Sequence, residues 1–454
     1  MKFKLNKEGT IAIIFVVVFA IILLGLKYSL PVKEEDYVKK NSNALDLSNY
    51  ENNSDLKLIK NDIEDKKIII TGGQYHIKQS NDLQEKFLTY LIDDWDLKYF
   101  LIEDGYAQTA ILNEYLQSGD EKFLDEYYNM ERQFSYLSSS KKDMFKKLYL
   151  KNKELSEKKK IQVIGIVPVE VKEKVNVYFN ILIEKHKELS EEQISTINKF
   201  LKDIEGINIY YNGLDTEEVK NNTAKLLAVI ESFENDINKD LKSYKKALGD
   251  DFYGINHVIN NIKNLQYIPK VSGDGGEEYF KTIQNLASKL MYENFEKIYK
   301  EYGKEKFYMH SIQGGNYQRE VYGIKSLGCL MNEDKNYKDK VYSFNTIYGG
   351  DPIKLENESY TNISNAREEL KKLLKDTALN EGDVIIRLDN GRSPYKKKFE
   401  LKYFQNNDAL VDDEYFKENP GMTTDYFQGV IIINQPSISE EWYKMMNDMN
   451  NSGN

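Results

Sequence analysis

Cysteine and proline are scarce in this chain. Among its 454 residues there are one cysteine, Cys329, and seven prolines. A lone cysteine cannot form an internal disulfide, so the folded state must be stabilised by side-chain packing alone. Hydrophobic residues make up 41% of the chain and aromatic residues 12%. This apolar content is enough for a sizeable core, and it excludes a disordered protein.

A basic stripe is also missing. The formal net charge is -10 at pH 7, and acidic and basic residues are interspersed along the chain. Because a nucleic-acid-binding surface needs clustered lysine and arginine, we expect no nucleic-acid partner.

Several short motifs of known chemistry are absent. No Gly-x-Ser-x-Gly occurs, so a serine nucleophile on a strand-to-helix elbow is not expected. Gly72-Gly73 is not followed by Lys-Ser or Lys-Thr at P-loop spacing, which excludes that phosphate-binding loop. His76, Glu103 and His310 have the composition of an open zinc site, but His-Glu-x-x-His does not occur and the metal signal is weak. We therefore expect neither a metal nor a cofactor.

Long apolar runs are rare, and the one present lies at the amino end. Residues 11–26 are uninterrupted apolar sequence, preceded by Lys2, Lys4 and Lys7. A membrane-spanning helix needs about 17–25 apolar residues, so the run with its flanks predicts a transmembrane helix over residues 10–28. No small-x-small cleavage site follows, which favours an uncleaved signal-anchor over a signal peptide.

The flanks of this run predict the topology. The preceding lysines indicate that residues 1–9 stay in the cytoplasm, which makes the protein a single-pass protein of the cell membrane with the bulk of the chain extracytoplasmic. Residues 29–62 are polar and lack a sustained periodicity. They are predicted to form a polar stalk that holds the globular part clear of the lipid headgroups.

A βαβ pattern at residues 67–105 is the most informative part of the globular region. Two short apolar runs end at the glycine-containing segments Thr71–His76 and Glu103–Gly105, and a helical pattern lies between them. Loops after the carboxyl ends of parallel strands collect functional groups, and here they carry His76 and Glu103. If the two strands are neighbours, these side chains converge on one cleft. The alternative is an ordinary loop histidine and a charge at the start of a helix.

The α/β pattern continues along the rest of the chain. Further strands are predicted over residues 161–167, 306–312, 341–348, 383–388 and 426–433. Helices are predicted over 107–128, with a break at 118–120, and over 279–302. Residues 176–270 carry long amphipathic helices, including 194–204 and 223–248, and little strand signal.

These patterns predict an α/β fold with a mostly parallel central sheet flanked by helices. Residues 63–175 and 271–440 are its two halves, residues 176–270 are a helical insertion, and residues 441–454 are a polar tail. With the N-terminal transmembrane helix, this gives one large folded unit on a membrane anchor.

Three separated segments together resemble the erythromycin esterase-like family. They are Gly73-Gln74-Tyr75-His76, Phe100–Glu103 and Leu112–Asp120, which reads LNEYLQSGD. Weaker matches follow at 165–167, 291–295, 307–316 and 425–433, so the resemblance covers residues 63–437. It implies hydrolysis of an ester, including a macrolide lactone, by water that a histidine activates.

The resemblance also implies roles for individual residues. His76 matches the general base and Glu103 the acid after the second strand. His310 matches the first histidine of a His-x-x-His loop, in which Gln313, Asn316 or Tyr317 stands at the expected second histidine. Gln74 stands where the family has glutamate.

The departures from the family pattern weaken the implied chemistry. Gln74 cannot ionise, so it cannot stabilise an imidazolium as a carboxylate does. Val167 replaces an aspartate, and with the longer Gly-Glu-x-x-His spacing Gly73 would replace the glutamate. Two functions therefore stay open. One is a membrane-anchored hydrolase of a small-molecule ester that uses His76, Glu103, His310 and Gln74. The other is a catalytically degenerate member that binds a ligand or partner at the cell surface.

The remaining polar candidates have simpler interpretations. His186 lies in a charged helical segment and is expected on a solvated face, whereas His257 is expected to pack inside a helix bundle. Cys329 is expected to be a buried small residue. Arg319 and Arg367 either hold an anion or form surface ion pairs.

Overall fold

One mostly parallel sheet forms the centre of the fold. The computed structural model describes residues 32–74, 77–131, 139–208, 216–267, 276–303, 305–312, 314–349, 353–354, 360–361, 366–404, 416, 420–440 and 442–443. Eight strands form the sheet in the order β1-β9-β10-β6-β2-β5-β3-β4. They are β1 (Ser42–Leu45), β2 (Ile68–Gly73), β3 (Tyr99–Ile102), β4 (Gln162–Gly165), β5 (Phe307–Ile312), β6 (Val341–Tyr348), β9 (Asp383–Arg387) and β10 (Gly429–Ile433). A separate antiparallel pair consists of β7 (Ile353–Lys354) and β8 (Tyr360–Thr361).

Strand direction confirms the predicted sheet type. The pairings of β10 with β6, β6 with β2, β2 with β5, β5 with β3 and β3 with β4 are all parallel. Within this sheet β9 runs against its neighbours β1 and β10. The sheet is therefore mostly but not wholly parallel, in an α/β fold with flanking helices.

The helices alternate with the strands along most of the chain. They are α1 (Glu34–Lys40), α2 (Lys60–Ile63), α3 (Lys78–Asp94), α4 (Tyr106–Ser118), α5 (Glu121–Glu131), α6 (Ser139–Glu154), α7 (Lys172–Lys185), α8 (Glu191–Glu205), α9 (Glu217–Lys239), α10 (Leu241–Leu248), α11 (Asp251–Lys263), α12 (Gly276–Glu301), α13 (Leu327–Glu333) and α14 (Glu368–Asp376). The predicted break after Ser118 is present. Gly119 has a φ of 74°, a left-handed conformation that glycine adopts without strain and that ends α4.

Both faces of the sheet are buried under helices. Ile69, Phe100 and Tyr308 pack with Phe87 of α3 on one face. Their neighbours in sequence, including Ile70, Leu101 and Met309, pack with Phe295 of α12 on the other face. Successive strand residues point to opposite faces, so burial on both faces requires nearly continuous apolar strands. This is the pattern from which the strands were predicted.

Between β4 and β5 the described residues form helices and the turns that connect them, and no strand is present among them. Helices α7 to α11 have their own core, in which the rings of Phe200 and Phe233 stack with centroids 4.2 Å apart. The predicted helix over 223–248 is two helices, because α9 ends before Asp240 and α10 begins at Leu241.

The predicted stalk over residues 29–62 is wrong for the part that the structure describes. In α1, Tyr37 and Val38 are buried, and β1 pairs with β9 as an edge strand of the sheet. Lys86 of α3, whose side chain is fully buried, donates to the carbonyl oxygens of Asn49 (2.8 Å) and Asn52 (2.5 Å). This segment is polar because it folds around a buried ammonium group, and it is part of the folded domain.

The membrane prediction falls largely outside the described residues. Residues 1–9, the predicted transmembrane helix over 10–28, and most of the predicted tail over 441–454 lie outside them. Among the helices that the structure does describe, none has the length and apolar character needed to cross a bilayer.

Helix side chains cover the exposed backbone of the edge strand β4. Asn113 donates to the Val163 carbonyl oxygen (2.7 Å) and accepts from the Val163 N–H (3.0 Å), and Asn152 makes the same two contacts with Ile161. Thr109 accepts from the Gly165 N–H at 2.8 Å. These side chains replace a ninth strand and block pairing with another chain. Asn113 belongs to the LNEYLQSGD segment, so at least this polar position has a structural role.

Candidate functional site

Glu103 is the first residue after β3, at the carboxyl edge of the sheet. Its Oε1 accepts hydrogen bonds from the Ser311 hydroxyl (3.0 Å) and from the Ile312 N–H (3.1 Å), both at the end of β5. β5 lies between β2 and β3, so the strands that lead to Gln74 and Glu103 are not direct neighbours. Glu103 is therefore fixed to β5 and not to β2.

A cleft of about 170 Å³ opens beside Glu103. Helix α12 and the loop after β5 form its walls. Its polar lining residues are Glu103, Gln284, Ser288, Ser311, Tyr317, Arg319 and Ser326, and its apolar lining residues include Val167, Met291, Val321, Ile324 and Leu327. The site therefore combines one carboxylate, one guanidinium, one carboxamide and four hydroxyl groups with a mostly aliphatic wall, a composition typical of a small-molecule site.

Val167 is held in this cleft by side chains from distant helices. Asn261 of α11 donates to the Val167 carbonyl oxygen (3.3 Å) and to Glu170 (2.7 Å), and Asn294 of α12 donates to the Ile166 carbonyl oxygen (3.3 Å). Glu170 also accepts the N–H groups of Tyr106 and Ala107 at the start of α4. The helical segment after β4 thus sets the position of a cleft residue.

Burial gives Glu170 an unusual protonation equilibrium. Removal from solvent raises the pKa of its carboxyl to about 7, although hydrogen bonds from Asn261 and from two backbone N–H groups favour the ionised form. Desolvation therefore exceeds the stabilisation from three donors. Glu170 lies behind the cleft wall, and its contacts are those of a structural carboxyl.

His310 lies on the opposite face of the sheet from Glu103. It precedes Ser311 in β5, and successive strand residues point to opposite faces. The His310 ring has a hydroxyl group at each nitrogen: Thr71 is 2.8 Å from Nδ1 and Ser80 of α3 is 3.0 Å from Nε2. The structure therefore separates two residues that the resemblance brings to one site.

The surroundings of His310 keep its imidazole neutral. Burial, with a smaller contribution from the charge of Lys141, lowers the pKa of His310 to about 3. Each ring nitrogen already has a hydrogen-bonding partner, so neither is directed at the cleft. A group with this pKa and orientation cannot assist a base on the Glu103 side of the sheet.

The loop after β2 begins at Gln74. Its backbone N–H donates to Ser80 at 3.2 Å, and its side-chain Oε1 is buried without a hydrogen-bond partner among the described residues. A side chain at Gly73 would overlap the His310 ring and the Ser80 hydroxyl, so this loop approaches His310 more closely than any residue except glycine allows. His76 and Gln313 lie outside the described residues.

Comparison with known proteins finds similarity in structure but not in sequence. No protein-family model and no curated protein matches the sequence. A mutant of the erythromycin esterase EreC in its open conformation, in which asparagine replaces a histidine, superposes with a TM-score of 0.60 over 88% of this chain and 98% of that one, at 12% identity. This chain has a diverged erythromycin esterase-like fold.

Two further structures share the erythromycin esterase-like fold of this chain. A Bacillus cereus protein superposes with a TM-score of 0.61 at 15% identity, over 89% of this chain and 98% of its own. A succinoglycan biosynthesis protein superposes with a TM-score of 0.60 at 13% identity, over 89% and 97%. The coverage extends to nearly the whole of each relative, so the fold is shared throughout and not in one motif.

The other polar candidates have structural partners in this erythromycin esterase-like fold. His257 is buried beside Tyr253, and Cys329 is buried in α13, as predicted. His186 is not a free surface residue, because its Nε2 lies 2.8 Å from the Asp251 carboxylate. No group of three or more histidine, cysteine, aspartate or glutamate side chains suitable for a metal ion occurs in the described part of the chain.

Both candidate arginines make contacts within the protein. Arg319 lines the cleft and lies 3.5 Å from Asp425. Arg367 is buried, and its Nε donates to the Phe404 carbonyl oxygen. Of the two, only Arg319 is placed to contact a ligand in this cleft.

Sequence reasoning missed Ser311 as the partner of Glu103. The signal was available in the two-residue period of β5, because Phe307 and Met309 point to the α12 face with Ser311, whereas Tyr308 and His310 point to the α3 face. The pairing itself depends on the strand order, which the sequence does not reveal.

Proposed function

We propose that this protein binds a small-molecule ligand in the Glu103 cleft and that its hydrolytic chemistry is lost. The observation that carries the proposal is the lining of the cleft, where Val167 stands in place of the aspartate of the family pattern and Glu103 is the one carboxylate among the described residues. We further propose that residues 10–28 anchor the protein in the cell membrane, with the folded part extracytoplasmic. The apolar run supports the anchor. Lys2, Lys4 and Lys7 before it support the topology, although Lys27, Lys33, Lys39 and Lys40 follow it.

The chemistry of the cleft supports loss of catalysis. Hydrolysis by activated water requires a base whose conjugate acid is stabilised as the proton is taken up. Gln74 cannot supply that negative charge, and Val167 places an isopropyl group in the cleft where the family pattern has a carboxylate. Glu103 is the one carboxylate in the described lining, and the Ser311 hydroxyl and the Ile312 N–H already donate to it.

The same lining supports binding. Drug-sized ligands occupy pockets of roughly 300–1,000 Å³, so a described cleft of about 170 Å³ suits a small ligand or one end of a larger one. The aliphatic wall would bury an apolar group, and Glu103 with Ser288 would hydrogen-bond a polar end. A small ester or lactone has both parts.

A second candidate is retained hydrolysis through His76. It is favoured by Glu103, which occupies the carboxyl edge of the sheet and lines the cleft as the family resemblance implies. In this alternative, Glu103 alone would orient the histidine and stabilise its protonated form.

The double variant Gln74→Glu/Val167→Asp tests the proposal against this alternative. We expect it to acquire turnover of an ester or lactone that the wild type leaves intact, because two carboxylates return to the positions of the family pattern. The measurement is product formation by the purified full-length protein across a panel of aryl esters and lactones. Gln117→Glu/Val229→Asp is the control, because it changes the same residue types at an exposed and a half-buried position away from the cleft.

The outcome separates the two candidates. Turnover that appears only in the double variant, and that is lost again when His76→Ala is added, supports a lapsed hydrolase. Wild-type turnover that His76→Ala abolishes contradicts the proposal and establishes the second candidate.

A further inference from the structure

The folded domain begins very close to the predicted membrane anchor. Glu34 at the start of α1 accepts hydrogen bonds from the Tyr395 hydroxyl (2.8 Å) and from Lys402 (2.7 Å). Seven residues separate Leu26, the end of the apolar run, from Glu34. An extended chain spans at most about 3.3–3.6 Å per residue, so this connection reaches about 25 Å. One particular end of the domain must therefore stay near the membrane.

That end of the domain is formed by two segments in contact, residues 33–40 and residues 389–402, here called the basic face. The rings of Tyr37 and Tyr395 pack edge to face with centroids 5.5 Å apart. The Tyr37 hydroxyl donates to the Asn390 carbonyl oxygen, and Asn390 donates to Asn41 at 2.6 Å. The two segments thus form one continuous surface next to the anchor.

The basic face is positive in a chain that is otherwise negative. Its two segments contain eight lysine and arginine residues against five aspartate and glutamate residues, although the whole chain has a net charge of -10. Three of the acids are neutralised within the face, since Glu34 and Glu400 pair with Lys402, and Asp389 pairs with Lys396. The exposed lysines without an ion pair in the described structure are Lys33, Lys39, Lys40 and Lys397.

We propose that the basic face binds the anionic lipid headgroups of the membrane that holds the anchor. The proposal depends on the transmembrane anchor of the proposed function. Lysine side chains within about 10 Å of an anionic bilayer surface gain free energy from its negative potential, and a connection of seven residues allows the basic face to come that close. The basic face is thus a membrane-docking surface, in addition to the anchor itself.

Docking in this way determines where the ligand of the cleft comes from. α1 leads directly into β1, which runs in the same direction as the parallel strands, and residues 389–402 follow β9, which runs the opposite way. Both segments therefore lie at the amino ends of the parallel strands. Glu103 lies at the carboxyl ends, so the cleft opens away from the bilayer and receives a soluble ligand.

Lysine footprinting of the full-length protein in nanodiscs tests the docking surface. Amine acetylation is measured by mass spectrometry in phosphatidylcholine nanodiscs and in nanodiscs that also contain phosphatidylglycerol. We expect Lys39, Lys40 and Lys397 to react about fivefold more slowly with the anionic lipid present. The difference should vanish near 1 M salt, where the screening length falls to about 3 Å. Lys187 and Lys242, which are exposed on the helical segment after β4, serve as controls and should react equally in both.

Charge reversal provides a second test. Lys39→Glu/Lys40→Glu should restore the reactivity of Lys397 in anionic nanodiscs, whereas Lys187→Glu/Lys242→Glu should leave it protected. Equal reactivity of Lys397 in both lipid compositions, for a protein that co-elutes with the nanodiscs, overturns the docking surface and leaves the anchor intact. A protein that does not co-elute with nanodiscs overturns the anchor, and the docking surface with it.

Discussion

Lys86→Met is expected to lower the free energy of unfolding by about 3–5 kcal/mol, because it removes one partner of a buried ion pair. The Lys86 ammonium group is fully buried, lies 3.0 Å from Asp55 and donates to two backbone carbonyl oxygens. Methionine has a similar length but no donor. The substitution would leave Asp55 and both carbonyl groups without their shared partner, and the loop over residues 46–55 would lose its contact with α3.

Urea unfolding followed by circular dichroism measures this loss. Lys78→Met is the matched control, since Lys78 is on the same helix and forms an exposed ion pair with Asp82 at 2.6 Å. Such surface pairs contribute about 0–1 kcal/mol. Equal effects of the two substitutions would contradict the structure, because they would place Lys86 at the surface and residues 46–55 outside the fold.

His310→Gln is expected to alter the pH dependence of stability. In the unfolded chain histidine takes up a proton below pH about 6.5, whereas burial holds the pKa of His310 at about 3 in the folded protein. As the pH falls from 6.5, the unfolded state gains a proton that the folded state does not. His310 therefore favours unfolding by about 1.4 kcal/mol for each further pH unit until its folded pKa is reached.

The predicted quantity is the difference in the free energy of unfolding between His310→Gln and the wild type. The contributions of all other titrating groups are the same in both proteins and cancel. Relative to wild type, the free energy of unfolding of His310→Gln should rise by about 2.3 kcal/mol between pH 6.5 and pH 4.5, measured by urea unfolding at both values. His257→Gln should show the same trend, because burial also lowers the pKa of His257 to about 3. An unchanged difference across this pH range for His310→Gln would mean that His310 protonates in the folded state.

Most of the sheet could be predicted from local pattern, and its edge could not. The strands β3 and β10 and the first three residues of β2 are continuous apolar runs because both faces of the sheet are covered there, and such runs are visible in sequence. β1 has four residues and only two apolar side chains, and its partner β9 is more than 330 residues away in the chain. The segment that folds around Lys86 is polar, so its composition resembles that of a stalk. Its contact with the fold depends on Lys86, which lies in a different part of the sequence, and is therefore not visible in the segment itself.

Part of the candidate site could likewise be predicted from the sequence, and part of it could not. The position of Glu103 at the carboxyl end of a strand predicted its place at the cleft, and Val167, which the resemblance matches to an aspartate of the family, lines the same cleft. Strand order was not predictable, so β5 between β2 and β3 was missed, and with it the hydrogen bond from Ser311 to Glu103. The family resemblance assigns a role to His310 from its position in the sequence alone. The direction of its side chain depends on which face of β5 the residue occupies and on the hydroxyl groups of Thr71 and Ser80.

The most direct test of ligand binding without hydrolysis is to recover the ligand after binding. Small esters and lactones are incubated with the full-length protein, the melting temperature is recorded, and the bound compound is identified by mass spectrometry. We predict that at least one compound raises the melting temperature of the wild type but not of Glu103→Gln, and that it is recovered intact. Recovery of the hydrolysed product from the wild type, with the intact compound recovered from His76→Ala, would contradict this account.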